Sequence, residues 1–215
     1  MFFEKLQNET NNARQEMLSI EQIQRGSSGQ ISLLTYVAYL TEAYHHVKHT
    51  VPLLMACGSK IPGDKEWLRS EIANYIEEEL GHQEWILNDI KACGADSEKV
   101  RHSQPGPATE LMVSYAYDVI ARGNPVAFFG MILVLEGTSI ALATNAADSI
   151  KESLNLPEQA FSYLASHGSL DVGHMEFFKD LMNRIDDVED QKAIIHMANM
   201  VYKLYGDMFR SIPLD

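Results

Sequence analysis

SHGSLDVGHMEFF, residues 166–178, sets His167, Asp171 and His174 at i, i+4 and i+7. On a helix that spacing puts all three on one stripe. Leu164 precedes them on it, and Phe178 and Leu181 follow. Those flanks are core residues, so two imidazoles and a carboxylate share an inward face. Left unmet there, each polar group would cost about 1–3 kcal/mol, and a charge more. A core histidine hydrogen-bonded to a partner carboxylate would satisfy them, and so would a metal ion. Either way the segment is a core-facing helix that needs partners from other helices.

Working outward, every other segment also reads as helix. Residues 2–24 are rich in Glu, Gln, Asn and Leu, and RGSSG at 25–29 ends that helix. A second helix is expected over 32–56, with Leu33, Val37, Leu40 and Tyr44 on its apolar stripe and Pro52 near its end. CGSKIPGD, 57–64, is a loop in which Asp64 is the expected N-cap. The third helix covers 65–92, with a stripe of Ile72, Ile76, Ile86 and Ile90. A polar connection, 93–107, leads to a helix over 108–122 that Gly123 ends. Pro125 starts the next helix, to about 149. Pro157 stands at the first turn of the helix that carries the opening stretch, ending near Arg184. The last helix, 188–209, buries Ile194, Ala198, Val201 and Leu204. No segment alternates with period two. The fold class is therefore all-α, a single domain over 1–215 of about seven helices.

Composition narrows the function. A net charge of −13 argues against nucleic acid or an anionic membrane surface as partner. Cys57 and Cys93 form no CxxC pair, which fits a reducing, cytoplasmic setting. The N-terminus lacks the apolar core of a signal peptide. VAFFGMILVLEGTSIALAT, 126–144, approaches the length of a membrane span. Glu136 at its centre would be expensive in lipid. The segment reads instead as the central helix of a bundle, apolar all round because it is surrounded.

Polar residues at core positions then form a pattern. Glu79 and His82 share the stripe of the third helix at i, i+3. Glu136 interrupts the apolar central helix, and His167, Asp171 and His174 lie on the fifth stripe. A Glu/Asp-x-x-His step puts a bridging carboxylate and an imidazole on one helix face, the logic of di-metal carboxylate bundles. EELGH and DVGH are two such steps, and Glu136 and His167 complete six ligands. Oxygen and imidazole donors without thiolate suit iron, with manganese as an alternative. Glu77 and Glu84 read as solvated. The first carboxylate stays open between Glu79, Glu78 and Glu71.

From RGSSGQISLL onward the chain resembles the heme-oxygenase-like superfamily of TenA-, PqqC- and CADD-type proteins. It is most similar to the heme-oxygenase-like di-iron oxidases and oxygenases. The resemblance rests on Glu79 with His82, then Glu136, then His167-x3-Asp171-x2-His174. It implies two ferrous ions, no heme, O2 and a small-molecule substrate, with a homodimer the expected assembly. It also implies an O2-dependent oxidoreductase. TenA-type hydrolases in that superfamily use a cysteine on the central helix, and this chain has none there. A TenA-like hydrolase and a non-catalytic binding protein on the same scaffold are the alternatives.

YHHVKH, 44–49, offers His45 with His49 and His46 with His49 at metal-compatible spacings. Only Glu42 accompanies them, so hydrogen-bonded or cavity-lining histidines are expected, one facing the cavity. Tyr75, one turn before Glu79, is expected to support that carboxylate.

Overall fold

The computed structural model describes residues 1–214, and the side chains of 167–174 lie outside that description. Among the described residues, all regular structure is helical. The bundle is all-α, with twelve α-helical segments where about seven were expected. Four of the five additional segments come from interruptions inside expected helices, and the fifth lies in the expected polar connection.

The first 27 residues form α1 (Phe2–Glu9), α2 (Asn11–Leu18) and α3 (Glu21–Ser27) rather than one helix. At the first break the Thr10 hydroxyl donates back to the Leu6 carbonyl at 2.8 Å. At the second, Ile20 is extended (φ −64°, ψ 134°). The expected helix over 32–56 divides into α4 (Leu33–Val47) and α5 (Thr50–Lys60). Pro52, at the third position of α5, has no N–H for the Lys48 carbonyl, and the helix is interrupted at Lys48–His49. On α4, Leu40 and Tyr44 are buried as expected, whereas Leu33 is exposed.

A 3-10 turn, Gly63–Lys65, takes in Asp64, which is therefore not the cap of the following helix. The third expected helix is broken too, into α6 (Glu66–Glu79) and α7 (His82–Ala92). Leu80 is extended and Gly81 is left-handed, with φ 92°. Only glycine adopts that conformation without steric cost. A short α8 (Ser97–Arg101) adds a turn to the polar connection, N-capped by Asp96.

α9 (Pro107–Arg122) matches its expected bounds and stops at Gly123. The 3-10 turn Pro125–Phe128 then runs into α10 (Phe129–Leu154). Pro157 flanks another 3-10 turn, Glu158–Ala160, and not the first turn of an α-helix. α11 (Ser162–Asn183) runs unbroken through positions 167, 171 and 174. Its flanking stripe residues Leu164, Phe178 and Leu181 are buried. α12 (Val188–Ser211) closes the chain, with Ile194, Ala198 and Val201 buried.

α10 is the centre of the packing. It lies against α11, α12 and α3. By length and composition alone Pro125–Leu154 resembles a membrane span, yet every residue from Phe129 to Val134 is buried against other helices. Its closeness to α12 depends on Gly130. A Cβ there would stand 2.4 Å from the Ile194 carbonyl oxygen and 2.7 Å from the Ala198 nitrogen. Both are backbone atoms and cannot rotate away. Gly130→Ala therefore pushes two core helices apart. It should lower stability by about 1–3 kcal/mol, which thermal unfolding would register as a fall of several degrees.

Candidate metal centre

Glu136 lies on the buried side of α10. It lines a cavity of about 60 Å³ together with Glu79 of α6, Tyr75 of α6 and His46 of α4. Tyr163 of α11 and Tyr205 of α12 close the same space. Two expected carboxylate positions thus line one cavity, 57 positions apart in sequence. The described lining includes no lysine or arginine.

The break at Leu80–Gly81 decides how His82 joins them. Glu79 is the last residue of α6 and His82 the first of α7. The two do not sit one turn apart on one helix, as the spacing suggested, but across a left-handed corner. They still meet: Glu79 Oε2 lies 3.0 Å from His82 Nδ1. The His82 ring stacks on Trp85, centroids 4.1 Å apart, which fixes its plane.

The three candidate first carboxylates differ in position. The Glu79 side chain is only 12% exposed. Glu78 is exposed. Glu71 is engaged elsewhere: it accepts from Arg184 at 3.1 Å and from Asn74 at 3.1 Å. Glu84 forms a two-pronged ion pair with Arg101, both contacts 2.8 Å. Glu79 is the one of the three on the cavity wall.

His167, Asp171 and His174 lie on α11, with side chains outside the described residues. Among the described residues, no group of three His, Cys, Asp or Glu by itself forms a metal-holding set. Glu79, His82 and Glu136 are half of the expected six. Each of them, like Tyr75 and His46, takes part in a further interaction.

The three histidines of YHHVKH separate. His46 faces the cavity and meets the Tyr205 ring edge-on at 5.6 Å. His45 Nε2 pairs with Ser103 Oγ at 2.9 Å, and its Nδ1 lies 3.1 Å from the Lys48 ammonium. Burial and that neighbouring cation hold the His45 imidazole below its usual pKa. His49 pairs with the Tyr117 hydroxyl at 3.1 Å. Glu42 accepts from the Gly106 N–H at 3.1 Å and from the Thr109 hydroxyl, so it caps α9. These contacts favour the hydrogen-bonding reading of the motif.

Neither cysteine lines this cavity. Burial pushes the Cys57 thiol up to about 12 and the Cys93 thiol up to about 11. Thiols held so far from ionisation make poor nucleophiles.

A family model described as iron-containing redox enzyme matches residues 37–206. The chain belongs to that family. Solved structures of the heme-oxygenase-like class superpose on almost all of it. A domain of unknown function with a heme oxygenase-like fold from Shewanella denitrificans is 25% identical, with a TM-score of 0.87 over 98% of this chain and 91% of that one. A TenA homologue from Pyrococcus furiosus is 17% identical, with a TM-score of 0.73 over 98% of each chain. Heme oxygenase-1 from the cyanobacterium Synechocystis, in complex with heme, is 11% identical, with a TM-score of 0.76 over 97% of this chain and 90% of that one. No curated protein matches the chain. The last two likenesses concern the fold. Iron and redox chemistry come from the family.

One supporting residue escaped the sequence reading. Asp89 of α7 is fully buried. It accepts from the Ser162 N–H at 3.0 Å, the Tyr163 N–H at 2.9 Å and the Ser162 hydroxyl. These are the first amides of α11, which has no side-chain cap of its own. A carboxylate from another helix satisfies them. Asp89 thereby ties the helix of His82 to the helix of the 167–174 triplet. Asp89→Ala should cost about 2–3 kcal/mol in chemical denaturation. Asp89→Asn, which keeps an acceptor, should lose less.

Proposed function

We propose that this member of the iron-containing redox family is a non-heme di-iron oxidase or oxygenase that uses O2 to oxidise a small organic substrate. The observation that carries the reading is the meeting of Glu79 and Glu136 in one buried cavity, with His82 in contact with Glu79. Carboxylate oxygens and imidazole nitrogens suit iron or manganese. Two wall carboxylates favour a non-heme centre, since heme iron takes imidazole, thiolate, thioether or phenolate as axial ligand. The expected holders are Glu79, His82, Glu136, His167, Asp171 and His174. Iron bound there would supply the redox capacity to activate O2.

The chain's own residues set the conditions for that chemistry. Glu79 and Glu136 bring two carboxyl groups to one cavity. Leu53, Leu54 and Met131 line the same cavity and limit water. Tyr75 and His46 are positioned to orient a bound small molecule or to exchange a proton with it. A hydrolase of the cysteine type has less support, because both thiols are buried away from the cavity.

Anaerobic titration with Fe2+ checks the reading. About two irons per chain are expected, and admission of O2 should change the visible absorbance. Glu136→Ala and His82→Ala should each leave one iron or fewer. A protein that takes up no iron, and in which His167→Ala leaves O2 consumption unchanged, would falsify the proposal.

A further inference from the structure

A second cavity, of about 80 Å³, opens beside the first among α3, α4, α10 and α12. Its described lining includes no Asp, Glu, Lys, Arg or His. The two cavities share walls: Ser139 and Tyr205 line both. A single stripe of α10 connects them. Glu136 faces the first, Ser139 stands at the junction, and Ala143, Ala146 and Ile150 face the second. Small side chains at 139, 143 and 146 leave the room. From Ser139 to Ile150 the helix rises about 16 Å at 1.5 Å per residue.

Four of the hydroxyl groups around this space are already used. Thr138 donates to the Val134 carbonyl at 2.6 Å, and Ser139 donates to that of Leu135 at 3.1 Å. Thr35 donates to the Pro213 carbonyl at 2.9 Å, and Tyr36 to that of Ala160 at 2.8 Å. Burial raises the Tyr39 and Tyr205 phenols above their usual range, so the wall stays neutral. A charged or strongly polar group entering here would lose its hydration. A hydrocarbon group would gain by burial.

We propose that the substrate is amphipathic: its polar head lies at the Glu79–Glu136 cavity and its uncharged apolar arm in the second cavity, reached past Ser139 and Tyr205. The placement of the head rests on the metal-centre reading above. The site of the arm does not.

The n-alkanols from butanol to decanol are the probe, titrated by calorimetry into the full chain. Each added methylene should tighten binding roughly fourfold until the cavity is filled. Ala146→Phe and Ala143→Leu fill the second cavity without touching the first. Each should weaken octanol at least tenfold while Mn2+ affinity stays as in the unsubstituted protein. Glu136→Gln should do the reverse. With Mn2+ bound, proton relaxation of octanol should be fastest at C1 and fall toward the methyl group. Octanol affinity untouched by both alanine substitutions overturns the proposal. So does relaxation that is uniform or reversed along the chain. If Mn2+ does not bind at all, the metal reading fails, and the affinity series alone decides whether the arm's cavity is real. Should Ala143→Leu fail to fold, Ala146→Phe, at a half-buried position, still decides.

Discussion

Glu136 is a buried carboxylate within the long apolar stretch that runs into α10, and its burial sets the terms for everything around it. A carboxylate moved out of water costs several kcal/mol unless cations or donors meet it inside. Six residues before it, Gly130 seats α10 directly against the backbone of α12. The charge must therefore be met where it stands, by groups brought to it from other helices. α6 delivers Glu79, a second acid, to the same cavity. Two acids lining one cavity raise the demand for positive charge, and this is the physical content of the metal proposal.

The fold class was legible because it rests on period and length. Stripes such as Ile86 with Ile90, and Ile194, Ala198 and Val201, were read correctly and are buried. The subdivision of the helices was less legible. Pro52 signalled its break, but Thr10 and Ile20 are ordinary helix residues whose geometry depends on local competition for carbonyls. Gly81 was visible inside a helical pattern. Its left-handed φ follows from the need to turn α6 into α7, which tertiary packing decides.

The candidate site was legible as a set of residue types and less so as a geometry. Glu136 stood out because no other charged residue lies between Arg122 and Asp148. The choice among Glu79, Glu78 and Glu71 needed the structure, since only the fold brings Arg184 to Glu71 across 113 positions. The caps supplied by Asp89 and Glu42 were invisible for the same reason: their partners are 73 and 64 positions away. In the sequence, Asp89 is one more acid on a helix. In the fold it is an anion at the start of α11, where unsatisfied amides and the helix dipole favour it.

The corner at Leu80–Gly81 changes how the expected ligands are coupled. A Glu and a His one turn apart on a single helix would move together as a rigid step. Here they belong to different helices with different anchors. α6 is fastened at its start, where Arg69 Nε donates to the Gly58 carbonyl at 3.0 Å, and along its side, where Glu71 meets Arg184. α7 is fastened through Asp89 to the start of α11. In the proposed centre, a metal held by both Glu79 and His82 would join two helices across the Leu80–Gly81 corner. Its binding free energy would then be spent partly on fixing α6 against α7, because ligands that are not rigidly linked lose freedom when a metal orders them.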